Sequence, residues 1–167
     1  PSRQGNDLQL PACERCGAPL DLGILYRFDL ERGVITEQLN QERVVLLGIN
    51  SLNSILRELE KELGYDINDL FIRVEEESLK RKLAVTLLGE DLRDTKGLRN
   101  YLALRGLGML TGMEKDGDKT SFRVESVFIR PMVAGRLIAL CEYQHRRRCD
   151  YQYSLQDNTL ELTAVPT

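Results

Sequence analysis

Residues 129–165 read IRPMVAGRLIALCEYQHRRRCDYQYSLQDNTLELTAV, and this stretch decides the fold. Pro131 suits the first turn of a helix, where its missing N–H leaves no bond unmade, and the apolar run behind it reaches Leu140. A hairpin follows. Tyr151, Tyr153 and Leu155 alternate on one side, and Leu160, Leu162 and Ala164 answer them across a turn at Asp157-Asn158. Two of the four cysteines, Cys141 and Cys149, lie between helix and hairpin.

Working outward, Met109 to Met113, then KDGD, then Phe122, Val124 and Phe128 predict another hairpin, with its turn at Asp116-Gly117. A helix from about Thr95 to Arg105 carries Leu98, Tyr101, Leu102 and Arg105, and Gly106 to Gly108 stops it. Upstream, Asp66 with Asp69 predicts the cap of a helix from Ile67 towards Leu88, with Ile67, Leu70, Phe71 and Val74 on one face. In its charged middle, Glu76/Lys80 and Glu77/Arg81 lie one turn apart, as surface pairs worth a few tenths of a kcal/mol each. Asn50 or Ser51 can cap a helix with Leu52, Ile55, Leu56, Leu59 and Leu63 at helical spacing, ended by Gly64. Strict alternation from Leu22 to Leu30 predicts a strand, Glu31 to Gly33 a loop, Val34 to Leu39 its partner, and Arg43 to Leu47 a further short strand. Three antiparallel hairpins interleaved with helices predict an α+β domain, a sheet with helices packed over it. We expect a mobile tail over residues 1–12 and a single domain over 13–167.

The chain has 167 residues, 42% of them hydrophobic, enough for one core. Its 23 basic and 26 acidic residues leave a formal charge of -3, so no positive field favours nucleic acid as a partner. No apolar run is long enough to span a bilayer, and the first residues lack an export pattern; the expectation is a soluble, cytoplasmic protein without a membrane partner. His145 is the only histidine, which narrows the usual acid/base catalysts.

The CERCG knuckle at Cys13 and Cys16 is the most specific local motif: two thiolates three residues apart can grip one tetrahedral metal, and Gly17 lets the backbone turn behind them. It is half a site, and structural zinc is the expected cofactor. The expected other ligands are Cys141 and Cys149, so that one metal ties the two ends of the chain together; Cys141 with His145, or the same knuckle of a second chain, are the alternatives. An unbroken helix would hold Cys141 and Cys149 about 12 Å apart along its axis, so that pair requires a bend between them. Arg146, Arg147 and Arg148 form the strongest positive cluster, suited to an anion or a partner's acidic patch.

GRLIAL at Gly135 to Leu140, Cys141, seven residues, Cys149, the strand DYQY, and GLGML at Gly106 to Leu110 together resemble the 4-vinyl reductase domain family, whose fold is that of Bet3-type trafficking subunits. The resemblance covers about fifty residues. It implies a zinc site at Cys141 and Cys149, with Glu142 a nearby carboxylate, beside a hydrophobic pocket that senses small aromatic or apolar ligands. In the family pattern an acidic ligand precedes the first cysteine by three residues; here that residue is Ile138.

Three readings follow. The first is a non-catalytic, metal-stabilised sensor that binds a small apolar or aromatic ligand and signals to a partner. In the second, zinc holds together an interaction or assembly module acting as a homodimer. Third is a metal-dependent enzyme with Glu142 as base.

Overall fold

In the computed structural model, residues 10–86 and 92–167 are described, and local chemistry accounts for most of their elements. Residues 1–9, most of the expected tail, lie outside the described residues, as do Leu87 and Leu88 at the expected end of the second long helix. The chain divides into two compact units, residues 1–47 and 48–167.

In the first unit, α1 (Leu22–Leu25) leads into β1 (Tyr26–Asp29), β2 (Val34–Glu37) and β3 (Arg43–Val44), a three-stranded antiparallel sheet in that order. Gly33, at φ 63°, takes the left-handed position of the loop. The strand expected over Leu22–Leu30 is shorter than its alternation. Leu22, Gly23 and Ile24 donate their N–H groups to Pro19, Leu20 and Asp21, so residues 22–25 turn as a helix. On the alternating stripe, Ile24 and Phe28 are largely exposed.

The second unit begins with α2 (Ile49–Leu63), ended by Gly64 in the left-handed conformation, as expected. Next come α3 (Asn68–Val85), α4 (Thr95–Leu104), β4 (Met109–Asp116), β5 (Lys119–Glu125), α5 (Arg130–His145), β6 (Cys149–Gln156) and β7 (Thr159–Pro166). The four strands form one antiparallel sheet in the order β4-β5-β7-β6. Tyr151, Tyr153 and Leu155 pair with Ala164, Leu162 and Leu160, the expected register, and Asp157 and Asn158 both take positive φ in the two-residue turn. The β4–β5 turn falls one residue later than expected, at Gly117 and Asp118, because Asp116 pairs with Lys119.

Helix α5 is buried on nearly every side, from Pro131 to Glu142. A helix apolar all round belongs in the middle of a fold. Its residues join one core with Leu110, Phe122, Val124, Leu160 and Leu162 of the sheet, Leu98 and Leu102 of α4, and Ile72, Leu79 and Leu83 of α3. Helix α3 meets α5 at Gly135, where a Cβ would stand 2.4 Å from the Ile72 carbonyl oxygen. The face of α3 differs from the expected one. Leu70 and Val74 are exposed, and the buried stripe is Ile72, Glu76, Leu79 and Leu83. Phe128, expected to mark the strand, is also exposed, since β5 ends at Glu125. Among the described residues, no helix is long and apolar enough to cross a membrane.

Candidate functional site

The bend that a site shared by Cys141 and Cys149 would require is present. Helix α5 ends at His145, Arg146 takes φ 55°, and Cys149 opens β6. The turn is tied by Glu142, whose Oε1 accepts the Cys149 N–H at 2.9 Å and whose Oε2 meets the Lys80 ammonium. Lys80 also holds Glu76 Oε1 at 2.5 Å, and Arg148 stands 3.8 Å from that same oxygen. Glu76 and Glu142 are both buried. Burial alone pulls the Lys80 pKa down, but hydrogen bonds to Glu142 and Glu76 outweigh it and hold the value above the usual lysine range. The Glu76/Lys80 pair, expected on the surface, is therefore an interior clamp joining α3, α5 and β6. His145 is half-buried at the helix end; Arg146 to Arg148 are exposed.

Cys141 lies in the core beside Thr120, and burial pushes its thiol up to about 12. Burial, then Glu142, raises Cys149 as well. The donors at this corner do not by themselves make the zinc site that the resemblance implies. Both Glu142 oxygens are engaged, Ile138 stands at the acidic position, and among the described residues no three His, Cys, Asp or Glu side chains gather to hold a metal ion.

The thiols have a consequence for alkaline stability. An unfolded thiol ionises near pH 8.5, whereas Cys141 keeps its proton until about 12. Between those values the folded state binds more protons than the unfolded one, so stability falls as pH rises. Urea unfolding at pH 8 and pH 10.5 is expected to show a loss of about 2 kcal/mol from this group, and Cys141→Ala should remove most of that slope.

At the knuckle, Gly17 N–H bonds the Cys13 carbonyl and Cys13 N–H the Ala18 carbonyl, both at 2.8 Å, while Ala12 bridges Pro19. Gly17 sits at φ 70°, as its role requires. The N–H groups of Cys16 and Arg15 bond the Cys13 sulfur, which holds its pKa below the usual thiol value.

A second polar group, not anticipated from the sequence, lies inside the second unit where α3, α4 and α5 meet. Arg136 donates to the Tyr101 hydroxyl at 2.5 Å and stands 2.9 Å from Glu75 Oε2. Arg105 lies over the Tyr101 ring, 4.1 Å from its centre. Burial lowers the Arg136 pKa, but Tyr101 and Glu75 more than restore it. Arg136 Nε is buried and makes no hydrogen bond, whereas Glu75 Oε2, also buried, is answered by the Arg136 guanidinium beside it. A buried donor left so costs free energy unless something answers it. The sequence carried one signal: Arg136 is the only charged residue between Arg130 and Glu142. Surface clefts open to solvent include three among the described residues. One of about 490 Å³ is lined by Asn53, Arg57, Glu60, Phe128 and Arg130, and one of about 580 Å³ by Lys119, Cys149, Tyr151 and Val165. A third, about 500 Å³, lies over the sheet at Thr111, Arg123 and Glu161.

Comparison with known proteins shows the fold. No protein-family profile and no curated protein matches the chain. The phenol-responsive sensory domain of the transcription activator PoxR, solved with phenol, is similar with a TM-score of 0.61, covering 87% of each chain at 16% identity. An H-NOX protein from Shewanella oneidensis gives 0.47 over 74% of this chain and 78% of its own, at 13% identity. Subunit 3 of the trafficking protein particle complex from Naegleria fowleri, covalently bound to palmitic acid, gives 0.44 over 71% and 92%, also at 13%. The solved structures thus include a sensory domain and a trafficking subunit of the Bet3 type, whereas no family profile supports the narrower 4-vinyl reductase assignment.

Proposed function

We propose that the chain is a sensory domain that binds a small aromatic or apolar ligand and passes its presence to a partner. The observation that carries this reading is the largely buried Arg136–Tyr101–Glu75 group beside the apolar core, with one unanswered donor, Arg136 Nε. An apolar site with a few convergent polar groups is the usual form of a small-molecule site. The hydroxyl of a ring can accept from Arg136 Nε. The overall likeness to a phenol-responsive sensory domain supports the same reading. Side chains fill this interior, so a ring enters as the helices part, and the measured affinity is the intrinsic one reduced by the population of that opened arrangement.

The test is thermal unfolding with a panel of monocyclic aromatics. A ligand at 100 times its Kd stabilises by about 2.7 kcal/mol, and a domain of this size gains roughly 5–10 °C from that. Hydroxylated rings should raise Tm in the native protein and fail to do so in a folded Arg136→Met variant. No response to any member of the panel, or an equal response in the variant, would overturn the proposal.

A second reading, an assembly module, is favoured by α2, whose apolar stripe leaves Ile55, Leu59 and Leu63 about half exposed and no residue buried. An isolated helix of 15 residues is marginal in water. Under this reading sedimentation shows a concentration-dependent dimer that Leu59→Glu abolishes.

A further inference from the structure

We propose that Arg146, Arg147 and Arg148, with Lys115 beside them, form a docking face for an acidic segment of a partner protein. Such a face supplies the partner contact that the sensory reading requires, and it rests on that reading only for the partner's role. The run is held by the fold rather than trailing from it. Helix α5 ends at His145, Arg146 takes φ 55°, and the turn closes where the Cys149 N–H bonds Glu142 Oε1 at 2.9 Å. The Arg148 carbonyl accepts from the Thr167 N–H at 2.9 Å and from the Thr167 hydroxyl at 3.3 Å. Three exposed guanidinium groups thus stand on a backbone fixed at both ends. Lys115 joins them because its Nζ donates to Gln144 Oε1 at 3.4 Å, one residue before the helix ends.

These charges are not all answered inside the molecule. At this corner Lys80 and Arg148 balance the buried Glu76 and Glu142. Among the described residues no carboxylate pairs with Arg146, Arg147 or Lys115. A helix C-terminus favours a cation within its last turn, but Arg147 and Arg148 lie beyond it. Like charges held side by side repel, and a partner of opposite sign relieves the repulsion. Each guanidinium offers a flat fork that fits a carboxylate. The size of the face selects the partner. From Arg146 to Arg148 the backbone spans at most about 7 Å, which a few acidic residues can match. A nucleic acid asks for a longer stripe, on the order of six to ten phosphate contacts, and the formal charge of -3 on the whole chain opposes it.

The experiment is fluorescence anisotropy of a labelled octaglutamate peptide titrated with the full chain at about 50 mM salt, where surface charges are weakly screened, and without any aromatic ligand. Binding is expected, and it should weaken as salt rises. The double variant Arg146→Asn, Arg147→Gln should bind roughly five- to tenfold more weakly; asparagine is used because it tolerates the positive φ of Arg146. Arg57→Gln with Arg130→Gln removes the same charge from exposed positions elsewhere in the unit, and should change binding by less than about twofold. No binding of the peptide, or equal weakening in the two double variants, would overturn the proposal. Tighter binding of a DNA duplex of the same total charge would overturn it in favour of a nucleic-acid face. None of these outcomes depends on an aromatic ligand, so failure here and failure of the sensory reading are distinguishable.

Discussion

Gly135→Ala is expected to destabilise the domain by about 2–3 kcal/mol, although helix propensity alone favours alanine by about 1 kcal/mol. The clash decides the sign. An added Cβ would stand 2.4 Å from the Ile72 carbonyl oxygen, 3.0 Å from Glu75 Cβ and 3.1 Å from the Glu76 amide nitrogen. Two of these are backbone atoms of a helix and cannot swing aside, so α3 and α5 must separate. Because Glu75 and Glu76 are carried on that turn of α3, separation also pulls the polar groups around Arg136 and Lys80 apart. Thermal unfolding should show a Tm lower by roughly 5–10 °C, and Gly135→Leu should not fold. An unchanged or raised Tm for the alanine variant would mean that the helices do not cross at this residue.

Lys80→Met is expected to cost about 3 kcal/mol. Removing one partner of a buried ionic group leaves the others uncompensated, a loss of roughly 3–5 kcal/mol. Here Glu76 and Glu142 would face each other with only Arg148 near, its side chain largely exposed. The pH dependence follows from Lys80 itself. Its pKa lies above the ordinary value, so the stability it contributes is fully present below about 10.4 and is lost as pH rises through the higher folded value. Urea midpoints of both proteins at rising pH check the sign; parallel curves for the two would rule out the clamp.

The closing hairpin was legible because local signals and tertiary packing agree there. Asp157 and Asn158 suit a two-residue turn, and the period-2 residues on each side meet in the register that the turn dictates. The bend after Cys141 was not legible from spacing, which made it a condition of a metal shared by Cys141 and Cys149 and required none for Cys141 with His145. The buried face of α3 was not legible. Ile72, Glu76, Leu79 and Leu83 follow helical spacing only if a glutamate counts as a core residue, and it does so because Lys80 pairs with it. Local alternation likewise overstated the first strand, where residues 22–25 turn as a helix and Ile24 and Phe28 are exposed. The Arg136 group depends on three helices meeting, and spacing along one helix cannot show which residues the other two supply. As for the cysteines, their spacing suggested one site for all four and did not show the setting of either pair, Cys16 exposed and Cys13 half-buried in the knuckle, Cys141 and Cys149 buried.

The proposed sensory role rests on Arg136 reading the hydroxyl of a bound ring. The most direct test is a calorimetric cycle that pairs phenol and toluene with the native protein and with Arg136→Met. Phenol is expected to bind the native protein more tightly, the preference to disappear in the variant, and the coupling to be about 1 kcal/mol, a five- to tenfold effect. An equal preference for phenol in both proteins, or no binding of either ring to the native protein, would contradict it.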